Sequence, residues 1–174
     1  MKQSQHLNPI EGRIHQEAGN GTMFSFTEGM MKAIEKLNDL LSRNYDAEEG
    51  FKLAADKVED SVLEEYFNRN RVMHRKFGHD IKNQIAALKG EINKGTSFEG
   101  DLHRTWLNFK AAMANNTDEA LLEECARGQE IAMKDYQKAI EELAHPEVTS
   151  MLAKQKAEIV DIVHELKALE VSAQ

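Results

Sequence analysis

The chain has 174 residues, 41% of them hydrophobic, which suffices for one well-buried core and is short for two domains. Its 30 acidic side chains outnumber 22 basic ones, and a formal charge of -8 without a basic stripe argues against a nucleic-acid partner. A single cysteine, a polar start and no apolar run of about 18 residues predict a soluble cytoplasmic protein without a disulfide, signal peptide or membrane span.

The first 26 residues contain Pro9 and several glycines but little apolar periodicity, which predicts a flexible N-terminal arm over 1–26 and a bundle domain over 27–174. Thr27 is a suitable N-cap for a first helix, about 27–57. Its apolar residues recur every three or four positions, as one buried face requires: Met30, Ile34, Leu37, Leu41, Phe51, Ala55 and Val58. Gly50 lies inside this helix and would allow a local kink.

Asp60 and Ser61 can cap a second helix, whose apolar pattern continues to about residue 93. Because the connection between the first two helices is so short, they must pack antiparallel. Glycines predict a loop over 94–100, and a short helix follows over about 101–114.

A third helix is predicted over about 118–143 and a fourth over about 147–170, with His145 and Pro146 ending the third. The short helix is best placed as a crossover that returns the chain from the end of the second helix to the start of the third. The predicted fold is therefore all-α, a four-helix bundle with one short crossover helix.

Several segments together resemble an uncharacterised bacterial family of ferritin-like four-helix-bundle proteins. They are Leu37-Asn38-Asp39-Leu40, Glu49-Gly50-Phe51 with Ala54-Ala55, Leu102-His103-Arg104-Thr105-Trp106-Leu107, and the run from Glu124 through Arg127-Gly128 to Tyr136. The resemblance covers about Ile34 to Leu169 and implies a ferritin-like fold, with no particular reaction. Acidic residues usually stand in that family where this chain has Ala126 and Gln129, and these departures argue against an inherited metal site.

Polar residues interrupt the apolar stripe of every long helix. They are Asn44 and Glu48 on the first, Asn70 and His74 on the second, Gln129 on the third, and Gln155 with Glu158 on the fourth. At about 1.5 Å of rise per residue, four of these residues lie at similar depths along the bundle, roughly 16 Å from the end where the first two helices connect. They are Glu48, Asn70, Gln129 and Glu158. His74 falls about one turn lower, near Asn44. The sequence therefore predicts a polar layer to which each helix contributes.

Ferritin-like dimetal sites use one Glu on each of two helices and a Glu-x-x-His pair on each of the other two. Asp161 and His164 have a similar spacing, but a helical wheel turns both toward solvent. Amides at Asn70 and Gln129 also remove charge that two cations would need. Two alternatives remain for the layer: a metal-free hydrogen-bonded core, or a solvated groove at Gly50 that leaves Glu48 exposed.

A reduced metal site is the contrasting hypothesis. In it Glu48, His74 and Glu158 would hold one divalent ion of iron, manganese or zinc, with Gln129 as a weak or indirect ligand. The first functional prediction is a non-catalytic interaction or stress-associated protein without a cofactor. The alternative is a metal-binding protein or oxidoreductase. The expected partner is a second copy, reached by the N-terminal arm, or another protein.

Overall fold

A computed structural model describes residues 9–93, 107, 109–111, 114 and 117–172, without the side chains of 9–22 and 24. Over these residues the chain forms four long helices and no strand: α1 (Pro9–Lys57), α2 (Ser61–Ala87), α3 (Asp118–Glu142) and α4 (Pro146–Ser172). The predicted all-α class is confirmed, and the bounds of α3 and α4 agree with the sequence to within two residues. Among the described helices, none combines the length and apolarity needed to cross a membrane.

The four helices pack as two hairpins, α1 with α2 and α3 with α4, and α1 also lies against α3. Ion pairs Arg43–Asp135 at 2.8 Å and Lys36–Glu142 at 3.3 Å run in opposite sequence directions, so α1 and α3 are antiparallel. The start of α3 therefore lies at the end of the bundle opposite the end of α2. This separation of the two described ends is what the predicted crossover requires.

The predicted loop 94–100 and most of the predicted crossover helix lie outside the described residues. Leu107, Phe109 to Ala111 and Ala114 are described, and they are helical. Phe109 is only 4% exposed, and a Cβ atom placed on Gly50 would lie 2.8 Å from its ring. The absence of a side chain on Gly50 thus lets Phe109 pack closely against α1. The helix is continuous through Gly50, and the groove considered at this position is filled by Phe109.

The first helix begins earlier than the sequence predicted, at Pro9 instead of Thr27. Proline is favoured in the first turn of a helix because its fixed φ suits that turn and its missing N–H has no helical partner there. No further proline interrupts the chain until Pro146. Met23 and Phe26 are 74% and 71% exposed, so this early part of α1 adds no described core contact. The flexibility assigned to the arm stays a prediction.

The second helix starts as predicted, with Asp60 Oδ1 accepting from Val62 N at 2.7 Å and from Leu63 N at 3.2 Å. It ends at Ala87, earlier than the predicted residue 93. The reason is a C-terminal cap in which Lys89 adopts a left-handed φ of 56°.

That cap is completed by two backbone hydrogen bonds, from Lys89 N to Ala86 O and from Gly90 N to Ile85 O, both at 2.9 Å. A Cβ atom on Gly90 would lie 2.8 Å from Ile34, so only glycine lets the chain pass this close to α1. The side chain of Asn38 then fixes the backbone that follows the cap, because it donates to Glu91 O and accepts from Asn93 N.

The apolar core consists of two clusters, one toward each end of the bundle. The first contains Leu37, Leu41, Phe77, Ile81, Tyr136, Leu152 and Ile159 among others, and the second contains Phe51, Phe67, Phe109, Leu122, Cys125, Ile162 and Leu166. On the first three helices, Asn44, His74 and Gln129 fall between the residues of these two clusters. These three residues therefore lie between the two apolar clusters, whereas Gln155 on α4 lies within the first cluster.

Candidate functional site: a buried polar layer

His74 is the centre of the layer and is 1% exposed. Its Nδ1 lies 2.9 Å from Asn44 Oδ1, and its Nε2 lies 2.9 Å from Gln129 Oε1. The ring stacks on Phe51 and meets the edge of Phe77, with centroid distances of 5.7 Å in both cases. Burial in these apolar surroundings lowers the pKa of His74 from 6.5 to about 4, although its bond to Gln129 acts in the opposite direction. The imidazole is therefore neutral at neutral pH.

The tautomer of His74 follows from the amide of Asn44. Asn44 Nδ2 donates to Leu40 O at 2.8 Å and to the Tyr136 hydroxyl oxygen at 2.7 Å, so both amide hydrogens are used. Asn44 Oδ1 must then face the ring and accept from Nδ1–H. Because a neutral imidazole carries a single N–H, Nε2 is left as an acceptor.

Gln129 must therefore present a hydrogen-bond donor to Nε2 of the neutral ring. A carbonyl oxygen facing an unprotonated Nε2 would place two lone pairs together, whereas a half-turn of the amide presents its NH₂ group instead. The two ends of the amide have nearly the same shape, so this turn leaves packing unchanged. The Gln129 amide can thus serve His74 in either protonation state, as donor to the neutral ring or acceptor for the charged one.

Tyr136 extends the network to the fourth helix. Its hydroxyl accepts from Asn44 and donates to Gln155 Oε1 at 2.9 Å, and the side chain is fully buried. Burial raises the pKa of the Tyr136 phenol above its usual value, so the group stays protonated. The hydrogen bonds therefore link all four helices in one layer of neutral groups: Asn44 on α1, His74 on α2, Gln129 and Tyr136 on α3, and Gln155 on α4.

The predicted carboxylates take no place in this network. Glu48 instead accepts from Arg75, with Oε1 2.7 Å from Nε and 2.6 Å from a terminal guanidinium nitrogen. Its side chain is 19% exposed, whereas Glu158 lies on the exposed surface of α4. Asn70 is buried but donates back to Tyr66 O on its own helix, at 3.0 Å. The structure keeps His74 beside Asn44, as predicted, and joins them to Gln129.

This donor set does not fit the dimetal centre that a ferritin-like bundle would suggest. Both ring nitrogens of His74 already face amides, and the other layer groups are neutral amides and a phenol. The amide nitrogen of Gln155 is buried and has no partner among the described residues, but an N–H group cannot ligate a cation. Within the part of the chain that is described, no three His, Cys, Asp or Glu side chains gather in a way that could hold a metal ion.

Three other candidates lie apart from the layer. Asp161 and His164 are exposed on α4, as the helical wheel predicted. Glu142 and His145 form a Glu-x-x-His pair at the end of α3, where Glu142 binds Lys36 at the surface. Cys125 is buried, and burial raises the pKa of its thiol, which makes it a packing residue.

Comparison with known proteins agrees with this architecture. The family described as "Domain of unknown function (DUF2383)" matches residues 32–142. Among solved structures, the chain is similar to one described as "ferritin like, diiron-carboxylate proteins from Bacillus anthracis str. Ames", with a TM-score of 0.60 and 19% sequence identity. The match covers 82% of this chain and 97% of that chain, and it confirms the ferritin-like fold. No curated protein matches the chain.

Proposed function

The chain belongs to the DUF2383 family, and from that premise we propose that it is a non-catalytic ferritin-like bundle that acts through its contacts with other protein surfaces. Its buried polar layer has a structural task, which is to fix the register of the four helices. The observation that carries the proposal is the position of His74, whose two ring nitrogens each meet an amide 2.9 Å away. A link to stress stays a prediction of the sequence.

A hydrogen-bonded layer suits this structural task because apolar helix faces can slide or rotate against each other at small cost, whereas hydrogen bonds hold at one register. If α2 slipped by one turn, His74 would leave both Asn44 and Gln129, and several buried polar atoms would lose their partners. Each such atom would cost about 1–3 kcal/mol. The layer therefore favours one arrangement of the bundle over nearby ones.

A second candidate is a one-metal protein, and the similarity to a structure described as diiron-carboxylate favours keeping it under test. Its ligands would be Glu48, His74 and Glu158. To reach that state, Gln129 would have to leave Nε2 of His74, and Glu48 would have to break its bonds with Arg75. Both rearrangements oppose metal binding, which is why the structural layer is preferred.

Metal analysis separates the two candidates. Protein prepared without a polyhistidine tag would be incubated with ferrous iron, manganese or zinc, desalted, and analysed for bound metal. We expect substoichiometric metal in the wild type and the same amount in Glu48→Ala and His74→Ala. We also expect a chelator to leave the unfolding midpoint unchanged. A structural metal would add its binding free energy to folding, so its removal would lower the midpoint.

His164→Ala is the matched control, because it removes an exposed imidazole from α4 without touching the layer. One metal ion per chain that is retained in this control and lost in both Glu48→Ala and His74→Ala would contradict the structural proposal. That pattern would establish the one-metal site in its place.

A further inference from the structure

Helix α1 continues beyond the end of the other three helices. At that end Gly90 follows α2 and lies against Ile34, and Glu142, the last residue of α3, binds Lys32 and Lys36. Helix α4 begins only four residues after α3 ends. Apart from Met30 and Lys32, which still touch the bundle, the part of α1 before Ala33 therefore extends past the other described helices. With about 1.5 Å of rise per residue, this α1 extension (9–32) is roughly 36 Å long.

The extension carries exposed apolar side chains next to the bundle. Met23, Phe26 and Met31 are 74%, 71% and 60% exposed, and Met30 is half-buried against the core. Met23, Phe26 and Met30 follow the spacing of three and four residues that leads on to buried Leu37. The stripe that faces the core inside the bundle thus continues where no described helix covers it.

The extension is also a poor helix by itself. It includes Gly12, Gly19, Gly21 and Gly29, and glycine disfavours helix because it loses the most backbone entropy. A Cβ atom on Gly29 would meet nothing within 4 Å, so packing inside the chain does not require this glycine. Helices of this length in water depend mainly on the packing of an apolar face. The extension therefore calls for a partner that covers Met23, Phe26 and Met31.

We propose that this partner is a second copy of the chain, with the two α1 extensions packed antiparallel about a two-fold axis. Charge favours such a contact: each chain has a formal charge of -8, yet residues 23–31 contain a single charged side chain, Glu28. Two acidic bundles repel each other through most of their surfaces. The methionine and phenylalanine side chains of one extension can pack against those of the other without burying charge. One isologous contact covers the exposed stripe of both copies at once.

The inference does not rest on the buried polar layer, because none of its residues lies in the extension. A failed dimer would leave the structural role of His74 in place, and a metal in the layer would leave the dimer in place. The two proposals therefore have separate tests.

Solution mass over a range of protein concentrations tests the dimer on the full chain. The wild type should sediment with twice the chain mass of 19.7 kDa. Met23→Glu/Phe26→Glu should sediment as a single chain, because a dimer would bury two carboxylates from each chain at the contact. A milder variant, Phe26→Ala, should weaken self-association by about tenfold or more.

The matched control is Val72→Glu/Val171→Glu, which exchanges two exposed apolar side chains for carboxylates elsewhere on the protein. It should keep the mass of the wild type. The control should keep the helical circular dichroism of the wild type. The monomeric extension variants should lose at most the signal of residues 9–32, since their substituted side chains are exposed and the bundle core is unchanged. A wild type that stays monomeric at high concentration, or a dimer that survives both extension variants, would overturn the proposal. A monomeric wild type that binds a different protein through the extension would overturn it as well.

Discussion

The buried layer and the charged rim beside it lie within one helical turn of each other, yet they are built from different groups. The layer contains amides, one imidazole and one phenol, all uncharged. At the rim, Glu48 stands one turn after Asn44 and binds Arg75, which directly follows His74. Arg75 has 56% of its side chain exposed, so this pair remains in contact with water.

Desolvation explains the difference. Moving a charged group out of water costs several kcal/mol, which an ion pair recovers only with excellent geometry and further hydrogen bonds. Burying a neutral polar group costs less free energy, and one or two hydrogen bonds offset that cost. The bundle therefore keeps a hydrogen-bonded interior and leaves its carboxylate at the surface, where Arg75 and water both stabilise it. Breaking one bond inside should then cost much more than breaking the pair outside.

The largest effect is expected from Asn44→Ala. This change removes the partner of His74 Nδ1 and of the Tyr136 hydroxyl, leaving buried polar atoms unsatisfied, and should lower the free energy of unfolding by about 3 kcal/mol. Urea unfolding measures it. Asn83→Ala, an exposed asparagine on α2, should change stability by less than about 0.5 kcal/mol. Equal effects in the two variants would mean that the layer contributes nothing to register or stability.

A second prediction concerns pH. Well above pH 6.5 His74 is neutral in both folded and unfolded chains, so it adds no pH dependence there. As the pH falls from 6.5 toward 4, the unfolded chain binds a proton that the folded chain does not, and stability falls. Between pH 7 and pH 5 this group alone should cost about 2 kcal/mol.

Replacing His74 with leucine should flatten that part of the stability curve, as measured by urea unfolding at each pH. His164→Leu removes an exposed histidine and should leave the curve of the wild type unchanged. If His74→Leu kept the full slope between pH 7 and pH 5, the neutral state assigned to the buried ring would be wrong.

The smallest effect is expected at the rim. Glu48→Gln removes the ion pair with Arg75, which is largely exposed, so after screening by water it should cost only about 0–1 kcal/mol. Added salt should reduce the difference in free energy of unfolding between Glu48→Gln and the wild type further. A loss as large as that of Asn44→Ala, insensitive to salt, would show that Glu48 belongs to the buried layer after all.

Helix bounds and the existence of a polar layer were largely predictable, because apolar spacing and capping residues are local properties of the sequence. Asp60 marks the start of α2, and the break before Asp118 marks the start of α3. The end of α2 was missed because Lys89 takes a left-handed φ where glycine would be expected. The start of α1 was missed because glycines disfavour a helix that nevertheless begins at Pro9.

Membership of the layer was harder to predict. Rise per residue gives the level of each Cα atom, but it does not say where a long side chain ends. Glu48 lies on the core-facing stripe by its position, yet its three side-chain bonds let the carboxylate reach Arg75 at the surface. Tyr136 is buried in the core, and its hydroxyl joins the layer through Asn44 and Gln155. Its Cα atom lies two turns from that of Gln129, so its level along α3 gave no sign that its hydroxyl reaches the layer.

His74 is a neutral ring held between two amides, and this arrangement leaves it unavailable to a metal ion. Nitrogen NMR of the labelled imidazole tests it directly, with added zinc as a diamagnetic probe. We predict a neutral ring at pH 7 with the proton on Nδ1, a titration near pH 4, and nitrogen shifts that do not change with stoichiometric zinc. A ring that is charged at pH 7, or whose Nε2 signal moves when zinc is added, would contradict the account.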